Sequence, residues 1–369
     1  MKKLLFGAYS LDIGGIEKAL VILVNKLQEK GYDITLVLEK RQGIFLNEIN
    51  PKIKIIEYAP SNSKNKIQRK IINLIKRIKF TLKYKNKYDF SASFATYSLP
   101  ASFVARTASK NCYLWGHADY LTLFDCDAEE MKEFFIERNY NKFKKIIFVS
   151  KEGKESFVKV FPEMKEKTMV CNNLIDADKI LELSKEKIPE EDLSKINKLE
   201  NAQKETTIFI NVGRHQEKQK KLSRLIEAAT MLKKDNMNFK IIFIGDGPET
   251  EEYKKQVRNN QLENNIIFLG KKQNPYPYFK IADCVVLTSD YEGYPVVFLE
   301  SFILEKPIIT TKVSDYQEVE NKYGFVTEKN TKDIYEKMKN FILKGFEIKE
   351  KFDYKKYNEE ILKKIEDLF

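Results

Sequence analysis

Short apolar runs alternate along most of the chain with longer stretches in which apolar positions recur at helical spacing. The short runs predict buried strands, and the longer stretches predict amphipathic helices. In the first half we predict strands at Leu4–Gly7, Ile34–Leu38, Lys54–Glu57, Phe90–Phe94, Cys112–Trp115, Lys145–Val149 and Thr168–Cys171. In the second half we predict strands at Thr207–Val212, Lys240–Ile244, Ile266–Leu269, Cys284–Leu287, Ile308–Thr311 and Gly324–Val326. Such alternation is typical of α/β folds with parallel sheets.

The periodicity fades once, between Asn172 and Lys204, where Lys and Glu become frequent. With ~150 residues per domain as a guide, 369 residues suit two domains. We therefore predict an N-terminal Rossmann-like domain over residues 1–175, a linker over 176–204 and a C-terminal Rossmann-like domain over 205–345. The two doubly wound domains are expected to face each other across a cleft, and residues 346–369 to form a helical segment packing back toward the N-terminal domain.

A glycine pair follows the first predicted strand. The next helix is expected to begin at Gly14 or Gly15 and to end before Gly31. Glycines in such a turn can admit a phosphate, but a simple turn uses them as well. Both interpretations of Gly14 and Gly15 stay open.

Residues 64–87 contain many basic side chains and no acidic one. Apolar residues recur within this range at helical spacing, which predicts an amphipathic helix with a basic outer face. Two interpretations fit the pattern. The helix either packs its apolar stripe on a core, or attaches the protein to an anionic membrane at about 1 kcal/mol per basic residue.

The stretch D-Y-E-G-Y-P-V-V-F-L-E-S carries the clearest candidate chemistry. It follows a predicted strand, and a helix is expected to begin at Pro295. The free amides of a helix N-terminus bind anions, and a diphosphate is the anion of suitable size. Glycine at Gly293 allows a close approach of the backbone to a ligand. Glu292 is placed to accept hydrogen bonds from sugar hydroxyls, and Glu300 is placed for a ribose diol; otherwise both are ordinary surface glutamates.

A second motif, N-V-G-R-H-Q-E-K-Q-K-K, opens the second half. Gly213 and Arg214 follow a strand at the same carboxyl edge, and Lys220 stands where the next helix begins. An arginine and a lysine that converge on a leaving diphosphate offset its developing charge. We therefore expect Arg214 and Lys220 to act together.

His117 follows the predicted strand that ends in Trp115, and it is one of two histidines in the chain. It either contacts a sugar or acceptor, or has a purely structural role. The four cysteines lack metal-site or disulfide spacing. The net charge of +11 suits an acidic partner. The N-terminus lacks a signal-peptide core, and no long uncharged apolar segment occurs.

These motifs together resemble the retaining glycosyltransferases of family 4, which have the GT-B fold. The resemblance covers nearly the whole chain, through G-G-I-E-K, G-R with the later lysine, and E-G-Y-P-V-V-F-L-E. It implies that Arg214 and Lys220 bind the donor diphosphate, that Glu292 meets the donor sugar and that Glu300 meets the ribose. It also implies further contacts: the amides of Tyr294, Pro295, Val296 and Val297 and the turn at Gly15 near the phosphates, His117 beside the transferred sugar, and Leu269, Gly270 and Asn274 around the base.

The motif departs from the family pattern at Lys221, where many relatives have glycine, and an extra residue separates Arg214 from Lys220. The choice among Lys218, Lys220 and Lys221 therefore stays open. Two D-x-D tripeptides, Asp125–Asp127 and Asp176–Asp178, are typical of metal-dependent glycosyltransferases, but neither stands at a strand edge. We expect no metal site and no cofactor, with a UDP-sugar as substrate.

The sequence predicts a retaining glycosyltransferase that moves a hexose or N-acetylhexosamine to a saccharide or lipid-linked saccharide in surface-polysaccharide or capsule synthesis. We expect a cytoplasmic protein, peripheral at the inner membrane face if the basic helix binds lipid, with no nucleic-acid partner. Two alternatives remain: a sugar-nucleotide epimerase or phosphorylase on the same fold, and a catalytically silent glycosyltransferase-like partner protein.

Overall fold

The computed structural model describes residues 1–12, 14–197 and 206–369. The chain forms two compact units. The first comprises Met1–Ile175 together with Lys355–Phe369, and the second comprises Asp176–Tyr354.

The first unit contains a parallel sheet in the order β3-β2-β1-β4-β5-β6-β7. Its strands are β1 (Lys3–Ala8), β2 (Asp33–Leu38), β3 (Lys54–Glu57), β4 (Phe90–Ser93), β5 (Cys112–Gly116), β6 (Lys145–Phe148) and β7 (Thr168–Val170). The predicted strands are confirmed. They could be predicted because strands covered by helices on both faces have continuous apolar runs. Leu4 through Ala8, for example, are all buried.

The second unit contains a parallel sheet in the order β10-β9-β8-β11-β12-β13. Its strands are β8 (Thr207–Val212), β9 (Phe239–Ile244), β10 (Ile266–Phe268), β11 (Cys284–Leu287), β12 (Ile308–Thr311) and β13 (Gly324–Thr327). The strand order reverses between β1 and β4 in the first sheet, and between β8 and β11 in the second. Open α/β sheets bind their ligands outside the carboxyl ends of strands at such switch points.

Helices connect the strands. Those in the first half are α1 (Gly15–Glu29), α2 (Lys66–Tyr84), α3 (Leu99–Ala108), α4 (Tyr120–Leu123), α5 (Ala128–Glu137) and α6 (Lys151–Val160). They are followed by α7 (Ala177–Leu183), α8 (Glu190–Asn197), α9 (Glu217–Lys220), α10 (Leu222–Lys234), α11 (Thr250–Asn259), α12 (Tyr276–Ile281), α13 (Val296–Ile303), α14 (Thr331–Lys344) and α15 (Tyr354–Glu366). Within the described ranges, no helix is both long enough and apolar enough to cross a bilayer.

The stretch expected as a linker carries α7 and α8, which belong to the second unit; residues 198–204 of it lie outside the described ranges. The buried carboxylate of Asp192 on α8 pairs with Lys272 at 2.5 Å and accepts a hydrogen bond from Tyr278. These polar contacts of Asp192 help to hold α8 in place of apolar packing. The sequence therefore lacks the full apolar stripe from which the helix could have been predicted.

The C-terminal helix α15 packs in the first unit. Its Ile361 and Ile365 are buried, and the side chain of Asn358 exchanges hydrogen bonds with the backbone of Ile175 at 3.0 and 2.8 Å. Lys30 forms a 2.7 Å ion pair with Glu366. The first unit is therefore built from both ends of the described chain.

The basic segment 64–87 forms α2, as predicted. The interpretation that its apolar stripe packs on a core is wrong. Six residues of the stripe are between 46% and 78% exposed: Ile67, Ile71, Leu74, Ile75, Ile78 and Leu82. The helix is held to the unit from its other side, where Phe80 is buried. At about 100° per residue, the stripe lies nearly opposite Phe80. Four basic residues flank the stripe: Lys70, Arg77, Lys79 and Lys83. Periodicity identified the stripe but could not tell which side faces the core.

Candidate active site

Two loops meet at the switch point of the second sheet. β8 is followed by Gly213, Arg214 and His215, and its neighbour β11 is followed by residues 288–295. Arg214 and the segment around Glu292 therefore stand at the same carboxyl edge. This is the edge at which the sequence places the diphosphate and the donor sugar.

Lys220 and Glu292 form an ion pair across this edge. Lys220 Nζ lies 2.6 Å from Glu292 Oε1, and the two side chains are 17% and 9% exposed. The same oxygen accepts a hydrogen bond from the Ser289 hydroxyl at 2.6 Å, while Gln219 Nε2 donates to Oε2 at 3.3 Å. The Ser314 hydroxyl donates to the Glu292 backbone carbonyl at 2.6 Å. Both the carboxylate and its backbone are thus fixed.

The loop after β11 also holds the lysine in place. The Thr288 hydroxyl donates to the carbonyls of Lys220 and Lys221 at 2.9 and 3.2 Å, and Asp290 N donates to Gln219 O at 2.8 Å. Arg224 adds an ion pair to Asp290 at 2.5 Å. Among the candidate lysines, Lys220 places its ammonium group beside Glu292.

Lys221 adopts a left-handed conformation, with φ 49° and ψ 45°, between α9 and α10. This geometry favours glycine, since glycine lacks the Cβ that makes left-handed backbone costly. The Lys221 ammonium group lies 3.9 Å from Glu217 and 3.8 Å from Asp290. The lysine therefore gains side-chain ion pairs at a position that favours glycine.

We expect Lys221→Gly to be more stable than Lys221→Ala by about 1 kcal/mol, because both lose the ion pairs and only glycine removes the left-handed strain. At an ordinary helical position the alanine variant would instead be the more stable of the two by about 1 kcal/mol. Urea unfolding of the two variants measures the difference. An alanine variant at least as stable as the glycine variant would contradict the assigned backbone geometry.

Arg214 is exposed. Across the described ranges, its guanidinium group has no ion-pair partner. An arginine that is already charged and not committed to a carboxylate is available to a phosphate as a bidentate donor. Arg214 and Lys220 thus differ, since Lys220 is already neutralised by Glu292.

The loop 245–250 also lies at this edge of the sheet, although the sequence did not predict it as part of the site. His215 is fully buried, and its Nδ1 lies 2.8 Å from the Thr250 hydroxyl, which donates to Asp246 at 2.7 Å. Burial lowers the pKa of His215. Its Nε2 is buried without a hydrogen-bond partner in the part of the chain that the structure describes. This histidine links the loop after β8 to the loop after β9.

Gly245 explains how closely these loops approach. Its φ is +145°, and a Cβ at this position would lie 1.8 Å from Gly213 O. A glycine is therefore required by both conformation and space. The signal in the sequence was the G-D-G-P run directly after the predicted strand Lys240–Ile244.

Helix α13 begins at Val296, with Pro295 as the preceding cap residue, one position later than predicted. Its first amides, including those of Val296 and Val297, have no acceptor within the helix by geometry. Glu300 lies one turn further on, and its Oε1 accepts a hydrogen bond from the Tyr276 hydroxyl at 3.0 Å. The helix therefore presents donors at one end and a carboxylate along its side.

The residues expected around the base occupy different environments. Leu269 is 7% exposed, and Gly270, with φ +71°, accepts a hydrogen bond from Gly245 N at 3.0 Å. Asn274 instead donates through its side-chain amide to Leu183 O at 2.8 Å and Glu186 Oε2 at 2.9 Å. Its amide nitrogen serves to hold α7, a role that the sequence did not reveal.

In the first unit, His117 follows β5 and packs against Phe94, with ring centroids 4.5 Å apart. Burial lowers its pKa to about 3, so the imidazole is neutral at physiological pH. Its Nε2 is buried, with no hydrogen-bond partner among the residues described. Buried polar atoms in proteins are normally paired, so this nitrogen has unused capacity for a ligand.

The depressed pKa of His117 predicts a loss of stability in acid. Below the ordinary value of 6.5 the unfolded chain gains a proton that the folded site does not take up until about pH 3. Stability therefore falls by about 1.4 kcal/mol per pH unit in this window. Thermal unfolding of the wild type and His117→Gln between pH 7 and pH 4.5 tests this. Identical pH slopes for the two proteins would contradict it.

The two D-x-D tripeptides begin or end at helix caps. Asp127 accepts hydrogen bonds from Glu129 N and Glu130 N at the start of α5, and Asp176 accepts one from Lys179 N at the start of α7. The residues described contain no group of three or more His, Cys, Asp or Glu side chains that could hold a metal. Helix capping therefore accounts for these aspartates.

The turn after β1 retains both of its interpretations. Gly14 caps α1 with extended backbone at φ −175°, and Gly15 begins the helix. A Cβ at Gly15 would meet nothing within 4 Å. Packing within the described structure therefore does not require glycine at this position.

The chain is similar in sequence to known glycosyltransferases. Residues 193–359 match the family model of glycosyl transferases group 1. The chain is 31% identical over 173 residues to an uncharacterized glycosyltransferase of Methanocaldococcus jannaschii. This alignment covers 47% of this chain and 41% of the relative. The chain is 24% identical over 325 residues to the Campylobacter jejuni N-acetylgalactosamine-N,N'-diacetylbacillosaminyl-diphospho-undecaprenol 4-alpha-N-acetylgalactosaminyltransferase, covering 84% and 81%.

The fold is similar to that of Anabaena HepE, solved in complex with UDP and glucose. The TM-score is 0.76 at 18% identity, covering 99% of this chain and all of HepE. The family resemblance and the fold class predicted from the sequence are thereby confirmed. Residues 193–359 therefore match a group 1 glycosyltransferase domain, and the chain has the GT-B fold.

Proposed function

We propose that this chain transfers a hexose or N-acetylhexosamine from a UDP-sugar to a hydroxyl of a saccharide or lipid-linked saccharide in surface-polysaccharide synthesis. Transfer proceeds with retention and without a divalent cation. The observation that carries the proposal is the pair of cations, Arg214 and Lys220, at the sheet edge where α13 begins. HepE was solved with UDP and glucose, and the Campylobacter relative is named for an undecaprenol-linked acceptor.

The donor contacts follow from the chemistry of each group. The Lys220 ammonium has three donors, of which Glu292 uses one, so the others are available to the diphosphate. Arg214 and the first amides of α13, beside Gly293 and Tyr294, supply the remaining donors. Glu292 accepts from the transferred sugar, and Glu300 accepts from the ribose.

Three further contacts with the donor are proposed, each considered within its own unit. The backbone around Leu269 and Gly270 holds the base, and Gly15 approaches a phosphate. The neutral imidazole of His117 hydrogen-bonds the transferred sugar through Nε2. A neutral group suits this role, because a sugar hydroxyl both donates and accepts hydrogen bonds.

The proposed step breaks the bond between the sugar C1 and the β-phosphate oxygen. The acceptor oxygen bonds to C1 on the same face, and its proton passes to the departing β-phosphate, which gives UDP and a glycoside. Negative charge grows on the leaving diphosphate as the bond to C1 breaks. Positioned cations lower the barrier most when they act on charge that develops in the transition state.

A donor panel tests the proposed function. The protein is incubated with UDP-glucose, UDP-galactose, UDP-N-acetylglucosamine and UDP-N-acetylgalactosamine, with and without EDTA, and thermal shift and slow donor hydrolysis are measured. We expect one donor to stabilise the protein and to be hydrolysed in EDTA, with NMR of the first-formed sugar showing the donor's anomeric configuration. Lack of any response would favour a silent partner protein, and inversion would exclude the proposed step.

We further propose that α2 attaches the protein to an anionic membrane. Its exposed apolar stripe points away from the unit, while Lys70 and Arg77 on one side and Lys79 and Lys83 on the other flank it. This arrangement is typical of helices that lie in the membrane interface, with apolar side chains among acyl chains and basic ones at the headgroups. Because both contributions add, anionic lipid should be preferred over neutral lipid.

Sedimentation with vesicles measures the attachment. We expect binding to phosphatidylcholine vesicles that contain 30% phosphatidylglycerol, and little binding to phosphatidylcholine alone. Replacing Lys79 and Lys83 together by glutamine removes about 2 kcal/mol, or ~30-fold in affinity. Ile71→Ser with Ile78→Ser should weaken binding similarly, whereas Leu343→Ser, at a somewhat more exposed site on α14, should not. Binding that ignores anionic lipid content would contradict the proposal.

A further inference from the structure

The backbone next to Arg214 is held by a second loop. His215 N donates a hydrogen bond to Asp246 O at 3.1 Å. A Cβ at Gly247 would lie 2.1 Å from His215 O, so the loop 245–250 approaches this residue about as closely as two backbones can. His215 is thus fixed to the loop after β9 by its main chain as well as by its side chain.

The side chain of His215 is held through a hydroxyl group. The Thr250 hydroxyl lies 2.8 Å from His215 Nδ1 and donates its one proton to Asp246 at 2.7 Å. This hydrogen bond keeps the pKa of Asp246 below its ordinary value, so the group is a carboxylate that can only accept. Because the hydroxyl has no second proton to give, Nδ1 must donate to it. The imidazole therefore carries a proton on Nδ1.

Three aromatic rings surround this imidazole edge-on. The ring centroids of Phe243, Tyr253 and Phe268 lie 6.1, 5.9 and 5.9 Å from that of His215. Burial lowers the pKa of His215, so the ring is neutral and Nε2, which has no partner among the described residues, carries no proton. Moving the proton to Nε2 would create a buried N–H without an acceptor. A single tautomer and orientation are therefore favoured.

The guanidinium group of Arg214 depends on this support. The side chain is exposed, and no described residue forms an ion pair with it, so its place is set by the backbone that carries it. Gly213 N donates to Ile244 O at 3.0 Å on one side of Arg214, and His215 is anchored on the other side. A backbone that is fixed in advance lowers the ordering cost of binding a ligand.

We propose that His215 is a positioning residue for the donor diphosphate: its hydrogen bond to Thr250 holds the backbone from which Arg214 meets the phosphates. The proposal rests on the proposed function, because it takes Arg214 as a contact of the diphosphate. His215 is fully buried, so it acts through its neighbour. A displacement of ~1 Å in a positioned group can cost ~100-fold in rate, and a hydrogen bond behind the site can therefore decide the rate.

Four variants test this hydrogen bond in two matched pairs. Thr250→Val removes the hydroxyl with little change of shape, and Thr250→Ser keeps it. His215→Leu removes the donor, whereas His215→Asn keeps an N–H group at the δ position. We expect Thr250→Val and His215→Leu to lose ~10-fold in kcat and in affinity for UDP, and the other two variants to stay within about threefold of the wild type.

Titration calorimetry measures the affinity for UDP. This probe is suitable because its terminal phosphate carries the charge that develops on the leaving group. The kcat is measured with the UDP-sugar that the donor panel identifies. Thermal unfolding checks that each variant folds.

The coupling to Arg214 distinguishes positioning from a general structural role. Thr250→Val is also made in the Arg214→Ala variant. If the hydroxyl acts through the guanidinium group, its loss should change kcat and UDP affinity by less than about twofold in that background, against ~10-fold in the wild type. A purely structural effect would be the same in both backgrounds.

Several outcomes would overturn the proposal. They are equal losses in the two backgrounds, near-normal kcat and UDP affinity of Thr250→Val and His215→Leu, and losses in Thr250→Ser and His215→Asn as large as in their partners. Binding of UDP to Arg214→Ala as tight as to the wild type would overturn it as well. Hydrolysis of UDP-sugars by the wild type is measured in parallel. Its absence would count against the proposed function alone, because UDP titration reports on His215 without turnover.

Discussion

Replacing Arg214 by alanine is expected to lower kcat for glycosyl transfer by ~100-fold or more, the usual effect of removing one positioned donor from a developing anion. The guanidinium group is exposed and has no ion-pair partner across the described ranges, so its removal should leave the fold unchanged. Its charge is needed most when the diphosphate leaves. The loss should therefore appear mainly in kcat and less in KM for the UDP-sugar.

Arg214→Lys is the matched control. It keeps the charge but not the planar pair of donors, so we expect an intermediate rate. Thermal unfolding of both variants should match that of the wild type. Near-normal transfer by Arg214→Ala would remove Arg214 from the proposed mechanism, and a rise in KM alone would make it a ground-state contact.

Replacing Lys220 by methionine is expected to damage both activity and stability. The substitution keeps most of the length of the side chain but leaves the Glu292 carboxylate, 9% exposed, without its cation at 2.6 Å. Breaking such a pair from one side costs about 3 kcal/mol, because a largely buried charge stays uncompensated. Transfer should fall by ~100-fold or more, since the diphosphate loses a charged donor.

A double variant separates the two effects. Lys220→Met combined with Glu292→Gln removes both charges, while the glutamine can still bond with Ser289 and Gln219. We expect it to recover most of the stability but none of the activity. Urea unfolding and transfer assays on the single and double variants provide the comparison. Equal stability of Lys220→Met and the double variant would show that the ion pair has no structural role, and restored transfer would show that Lys220 does not act on the donor.

The sheets and the position of the donor edge could be predicted because they depend on local patterns. The run Leu4–Ala8 is buried on both faces, so its strand can be predicted from the run alone, without knowledge of the neighbouring strands. Arg214 and Glu292 could be assigned to one edge because each follows a strand, and parallel strands end on the same side of a sheet. The fold class followed from the regular alternation of such runs with helices.

Other features depend on contacts between distant parts of the chain. The ion pair joins Lys220, at the end of α9, to Glu292, which lies 72 positions later in a loop. The sequence therefore predicted separate roles for the two side chains, one at the phosphates and one at the sugar. The family resemblance implied that Asn274 lies near the base, and it could not reveal that the amide nitrogen also donates a hydrogen bond to Leu183 O in α7. The stripe of α2 has the spacing of a core helix, and only the burial of Phe80 on the other side reveals that it is exposed.

The division of the first unit between two parts of the chain affects how it is made during translation. Asp176–Tyr354 is synthesised before Lys355–Phe369, which completes the unit. At ~5–20 residues per second, this delay is on the order of 10 to 40 s. During that time Phe90 lacks the ring of Phe369, which packs against it in the finished unit with centroids 4.7 Å apart. The nascent first unit therefore exposes an apolar surface to the ribosome and to chaperones until the second unit has been synthesised.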